Sequence, residues 1–183
     1  MFQLKISLRD SRPPIWRRVL VPEQTPLSTL HRVIQLSFGW NNEHLYMFEK
    51  GCKGSSSNDY RVWGEEDECM GNATVTPLWS TLQSEGDKLI YTYDFGDWWD
   101  FSVLLEKQTH DTSQQPIRCL GGKGTTPVEN SGGLSGYTEM LLQSIDAENT
   151  VQAGLHRFLM QDIDNRRYDL SIINSRLQAL DPS

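Results

Sequence analysis

The most unusual local sequence in this 183-residue chain is a single turn, in which Asp94, Asp97 and Asp100 stand among Phe95, Trp98 and Trp99 with Gly96 between the first two acids. Two neighbouring carboxylates can hold a hard cation, or divide general-acid and general-base roles when their surroundings push their pKa values apart. Aspartate and glycine are also the residues that a tight turn recruits for its backbone geometry. The segment therefore has a structural reading beside the chemical one.

Other candidate chemistries are weaker on spacing. Asp94, Phe95 and Gly96 repeat the kinase triplet, but no glycine-rich loop, strand lysine or catalytic-loop motif accompanies it. The histidines, His31, His44, His110 and His156, show no metal-binding offset from one another. A zinc site would have to gather distant ligands such as His44, Cys69 and Cys119. No metal and no cofactor is expected. There is no Gly-x-Ser-x-Gly elbow and no cysteine-nucleophile signature. The stretch from Leu120 to Thr126 is rich in glycine but lacks the phosphate-loop spacing and runs into Pro127 instead of a helix start.

Composition narrows the classes further. The formal net charge is -7, which disfavours general nucleic-acid binding, because phosphate-backbone binders cluster Lys and Arg. The pairs Arg17, Arg18 and Arg166, Arg167 are local basic doublets, and a solvated strand or helix edge accounts for them. Three widely spaced cysteines, Cys52, Cys69 and Cys119, fit free thiols in a reducing compartment. The N-terminal residues alternate from the start with no apolar signal core, and no stretch approaches membrane-spanning length. A cytoplasmic protein without membrane association is expected.

Positioning these residues requires particular elements. Phe2, Leu4, Ile6 and Leu8 recur at every second position, the period of a strand with one buried face. Asp10 to Pro14 reads as a turn and Ile15 to Val21 as a second strand. Thr25 and Pro26 predict a helix start, with Thr25 as cap and Pro26 as first helical residue; Leu27, Leu30, Val33, Ile34 and Phe38 follow at helical spacing and Gly39 closes the helix. His44 to Glu49 reads as a short strand. Residues 51–76, with the acidic run Glu65 to Glu68, read as a long loop or insertion. Pro77 to Leu82 suggests a helical turn. Lys88 to Asp94 and Phe101 to Leu105 predict a hairpin in which Gly96 supplies the conformational freedom. Residues 107–136 read as loop, and helical spacing then runs from Tyr137 to Ile145, through Val151, Leu155, Phe158 and Leu159, and from Leu170 to Leu180 behind an Asp169 cap. Strands first and helices last predict one α+β domain over 1–183: an antiparallel sheet with N-terminal strands, one early helix, and helices packed on it from the C-terminal third.

The ordered set Leu4 to Leu8, Pro14 to Arg18, Leu30 with His31, Ile34 with Gln35, Gly39 with Trp40, His44 with Leu45, Tyr91 to Asp97, and Gly132 with Gly133 before Gly136 and Tyr137 resembles the plasmid pRiA4b ORF-3-like family as far as about Leu177. The resemblance implies a small α+β fold, frequent carriage on plasmids or insertion elements, and a family at times labelled resolvase-like. Three departures stand out. Tyr46 replaces a histidine in the family's His-Leu-His; Phe101 replaces the histidine after the acidic turn; Thr126, Pro127, Val128, Glu129 and Asn130 stand where the family has Cys-Pro-Pro-Glu-Asp. Phenylalanine neither binds metal nor moves protons, and tyrosine substitutes poorly for imidazole near neutral pH.

The reading that follows is a non-enzymatic binding or accessory protein of a plasmid, phage or insertion element, engaging a partner protein through an aromatic and acidic surface. Its candidate residues are Arg17, His31, Trp40, His44, Tyr46, Asp94, Asp97, Trp98, Glu129 and Tyr137. A metal-assisted hydrolase or nuclease with Asp94, Asp97, His44 and Glu129 in one cleft is the alternative. An acidic mimic of nucleic acid that blocks a basic partner is a second alternative. A serine recombinase is disfavoured, since no basic tail or helix-turn-helix accompanies the domain.

Overall fold

The computed structural model describes residues 1–51, 60–64, 71–110, 117–144, 150–161 and 163–180. Its strands are β1 (Phe2–Leu8), β2 (Trp16–Val21), β3 (Tyr46–Gly51), β4 (Tyr60–Gly64), β5 (Gly71–Asn72), β6 (Lys88–Tyr93), β7 (Trp99–Gln108) and β8 (Arg118–Lys123). They form one sheet in the order β5-β4-β3-β6-β7-β1-β2-β8. Every neighbouring pair is antiparallel except β4 and β5. The helices are α1 (Leu27–Phe38), α2 (Leu78–Thr81), α3 (Gly133–Ser144), α4 (Thr150–Leu159), α5 (Ile163–Arg166) and α6 (Leu170–Leu177). The architecture is α+β, with strands mostly early and helices late in the chain.

Side-chain alternation decides which face carries the core. Phe2, Leu4, Ile6 and Leu8 of β1 are buried, as are Trp99, Phe101, Val103 and Leu105 of β7, whereas the intervening residues are partly exposed. Burying each of these side chains contributes about 1.5–3 kcal/mol, so the two central strands anchor the domain. Leu27, Leu30, Val33, Ile34 and Phe38 of α1 complete the same apolar cluster with Ile173, Leu177 and Leu180. The last helix packs on α1 and β8, and α3 packs on α4. Among the described residues, no helix is long and apolar enough to cross a membrane.

The structure corrects four local expectations. Thr25 does not cap α1: Pro26 occupies the cap position with an extended backbone and no side-chain cap, and Thr25 Oγ1 is buried with no hydrogen-bond partner among the described residues. The first helical amides are satisfied from elsewhere, Leu27 N–H donating to Thr76 O at 2.9 Å and Ser28 N–H to Ala73 O at 3.1 Å. Gly39 closes the helix as expected, left-handed at φ 74.

Residues 51–76 are not purely a loop, since β4 and β5 lie within them; the acidic run 65–68 falls outside the described residues. Likewise 107–136 contains β8, and α3 begins at Gly133, ahead of Tyr137. The strand β8 escapes a periodicity reading because two glycines interrupt it. Gly122 is needed for close packing: a Cβ there would lie 2.7 Å from the Tyr168 ring and 2.8 Å from Arg17 Cδ.

The fourth correction concerns the hairpin turn. Its left-handed positions are Asp94 (φ 59) and Trp98 (φ 56), not Gly96. Asp94 tolerates this because its Oδ1 accepts the amides of Gly96 (2.9 Å) and Asp97 (3.3 Å), an Asx turn.

Candidate functional site

Three stretches of chain meet at one end of the sheet: the connection from α1 into β3, the β6–β7 turn, and residues 127–133 ahead of α3. Their hub is Tyr93, whose buried hydroxyl donates to Glu129 Oε1 at 2.7 Å and accepts from the amides of Glu43 (2.8 Å) and His44 (3.3 Å). Burial raises the Tyr93 pKa and the adjacent Glu129 carboxylate raises it further, so the phenol keeps its proton and serves as a donor. Glu129 is 9% exposed and its second oxygen accepts Asn41 N–H at 2.9 Å. Trp40 stacks on Tyr93, ring centroids 5.3 Å apart, and its indole N–H donates to Pro127 O at 2.9 Å.

His44 stands at the rim of this hub, its ring against the edge of Tyr93. Its Nε2 is 3.1 Å from Asn130 Oδ1 and 3.5 Å from Asp94 Oδ2. Two oxygens facing one nitrogen place a proton on Nε2 and, in the neutral ring, leave Nδ1 as the acceptor. Asp97 is turned the other way and accepts Gly132 N–H on Oδ2 at 3.1 Å. Beside the hub lies a cavity of about 120 Å³, lined by Glu43, Val128, Glu129, Phe158, Gln161 and Arg166 among others.

His44, Asp94 and Glu129 are thus brought together, and Asp97 is bonded to the adjoining glycine loop, but all as members of the fold's own bonding network. Asp94, Asp97 and Glu129 each accept backbone N–H groups, and Glu129 also takes the Tyr93 hydroxyl. Among the described residues, no group of three or more His, Cys, Asp and Glu side chains is arranged to hold a metal ion. Cys119 lies buried on β8, bonded to Gly121 O, and Cys69 is outside the described residues.

Four candidates are interior residues and contribute nothing to a surface: Arg17, His31, Trp40 and Tyr46 are buried. Arg17 donates to the carbonyls of Ser37, Trp16, Lys123 and Gly124, and lies over the rings of Phe38 and Tyr168. Burial lowers its pKa to about 10. His31 stacks flat on Tyr46 at 3.7 Å and closes a ring of hydrogen bonds: Gln35 Nε2 to Tyr91 OH, Tyr91 OH to His31 Nδ1 at 2.7 Å, His31 Nε2 to Asn42 Oδ1, and Asn42 N–H to Gln35 Oε1. Desolvation lowers the His31 pKa to about 4. Tyr137 is partly buried against the core. Phe101 packs on Phe38, Trp40 and Tyr91.

Trp98 is the exposed candidate, at 55%, and Phe95 beside it is 42% exposed with ring centroids 5.9 Å apart. Leu45, also exposed, adjoins them because its carbonyl accepts Asp94 N–H. The sequence reading missed Leu45 and Phe95 as surface residues and Asn130 as the partner of His44. Asn130 had a signal, since it occupies the last position of the Thr126 to Asn130 stretch that departs from the family pattern. An exposed aromatic carries none, because its type alone argues for the core.

Fold and site together define a single-sheet α+β domain whose polar hub locks a hairpin against a glycine loop. Residues 1–174 match the family described as Plasmid pRiA4b ORF-3-like protein. Similarity extends to the uncharacterized protein y4hQ of Sinorhizobium fredii, 36% identical over 138 residues that make up 75% of this chain and 69% of that protein. The crystal structure of a protein of unknown function, MM3350 from Methanosarcina mazei Go1, superposes with a TM-score of 0.78 at 31% identity, covering 93% of this chain and 95% of that one. This chain belongs to the plasmid pRiA4b ORF-3-like family.

Proposed function

We propose that the chain is a non-enzymatic binding module of a mobile element, engaging a partner protein through the tip of the β6–β7 hairpin. The observation that carries this reading is Trp98: a large aromatic, 55% exposed, held in the left-handed region at φ 56. A bulky residue in that conformation costs about 1–2 kcal/mol, and a ring more than half exposed, with Phe95 as its ring neighbour, recovers little of it within the isolated domain. Strained positions of this kind cluster at binding and catalytic sites. Phe95 and Leu45 extend the patch, and Asp97 gives it an acidic edge on a chain of net charge -7. The fitting partner is a protein that presents an apolar segment flanked by Lys or Arg. The test is capture from the host by the wild-type chain and by a Phe95→Ala, Trp98→Ala variant of unchanged circular dichroism. A basic partner retained by the first and lost by the second supports the proposal; a partner retained equally by both, or none at all, overturns it.

A metal-assisted hydrolase or nuclease is the second reading, favoured by the meeting of His44, Asp94, Asn130 and Glu129 around Tyr93. Against it stands the commitment of the carboxylates to backbone amides, which a catalytic acid or metal ligand would have to give up. It requires divalent-metal-dependent turnover lost in His44→Ala and Asp97→Asn. Phosphodiester and ester substrates turned over at the rate of buffer by wild-type protein would dismiss it.

A further inference from the structure

We infer that the cavity beside Glu129 is a binding site for a small primary ammonium ion carrying a short apolar body. This inference is independent of the hairpin surface, since the two use different residues.

Glu129 is 9% exposed, and among the described residues it has no cation within ion-pairing distance. Its oxygens accept one hydrogen bond each, from Tyr93 and Asn41, whereas an ionised carboxylate has about four lone-pair sites. A buried carboxylate without a counter-ion is costly, and a charged donor that reaches its free lone pairs is the group that offsets the cost. The cavity against it holds about 120 Å³, the volume of roughly four waters. That suits an ammonium head with a few carbons.

The lining selects the charge and the shape. Glu43 and Glu129 oppose a single guanidinium, Arg166, so the described lining carries one excess negative charge. Arg166 donates to the carbonyls of Leu159, Gln161 and Thr126. Val128 and Phe158 provide the apolar wall for the carbon chain, and a ring beside an ammonium adds cation–π attraction. Apolar lining with a few placed polar groups that fix orientation is the usual make-up of a small-molecule pocket.

The test titrates n-propylammonium chloride into the intact chain at constant ionic strength, following backbone amide shifts. Saturable shifts confined to residues 41–43 and 128–130, absent with n-propanol, support the site. Glu129→Gln should weaken binding by about tenfold. Should that variant unfold, Glu43→Gln at the mouth and Phe158→Trp, which fills the cavity, keep the question answerable; each should weaken binding several-fold. Potassium chloride matching n-propylammonium, wild-type affinity in both of these variants, or no saturable shift at 50 mM ligand would each overturn the assignment.

Discussion

Asp97 and Gly133 meet backbone against backbone: a Cβ on Gly133 would lie 2.3 Å from the Asp97 carbonyl oxygen, and Gly133 itself is left-handed at φ 69. One glycine therefore sets how closely the hairpin turn approaches the start of α3, and the Asp97 carboxylate fastens the same junction through Gly132 N–H. Gly133→Ala adds a forbidden contact to an unfavourable φ. A loss of about 2–4 kcal/mol is expected, read as a lower urea midpoint with an unchanged denaturant slope. A midpoint equal to wild type would show that the turn can move aside.

Trp98 occupies a position where glycine has no steric penalty. Trp98→Gly should leave stability unchanged or raise it by up to about 1 kcal/mol, while removing partner capture, because the strain lies in the backbone and the ring faces water. Thermal melting and capture on the same preparation check the pair of outcomes. A large fall in stability would assign Trp98 to packing and leave the binding proposal without its anchor.

The legible parts of the fold are those where period and burial coincide. β1, α1 and the β6–β7 hairpin announce themselves because one full face of each is apolar and buried. β8 did not, because Gly121 and Gly122 interrupt it and the second is there to admit Arg17 and Tyr168, a tertiary requirement that leaves no local pattern. The site divides along the same line. His44, Asp94 and Glu129 were identifiable by type and do converge. The interior places of Arg17 and His31 were not legible, because what shelters each is a set of backbone carbonyls or a hydrogen-bonded ring assembled from distant segments. Trp98 and Trp99 are neighbours of one type, yet a left-handed backbone at the first sends one ring to water and the other to the core.

His31 makes the domain acid-sensitive. Its folded pKa of about 4 lies below the ordinary value of 6.5, mainly through desolvation. Between those values the unfolded chain binds a proton that the folded chain refuses, so the contribution of His31 is complete above about pH 6.5 and is lost as pH falls towards 4. The loss is on the order of 3 kcal/mol. His31→Gln cannot titrate, and its unfolding free energy should vary less with pH across this window than that of wild type. Parallel curves for the two proteins would assign the acid sensitivity to other groups.

Arg17 ties the β8 edge to the site. Its guanidinium donates to Lys123 O and Gly124 O at the end of β8 and to Ser37 O at the end of α1, and the chain then passes through Thr126 directly into Pro127 and Glu129. A lysine carries three donors on one atom and cannot reproduce the planar fork. Arg17→Lys leaves buried carbonyls unpaired at about 1–3 kcal/mol each where water does not reach them. It should lower stability by about 2–4 kcal/mol. Because the unpaired carbonyls lie on the strand feeding Glu129, hydrogen exchange should quicken first at residues 123–130, and at Asn41, whose amide bonds to Glu129. Exchange that quickens evenly over the whole domain would mean that Arg17 supports the core alone and leaves the Glu129 segment to be positioned by Tyr93 and Trp40.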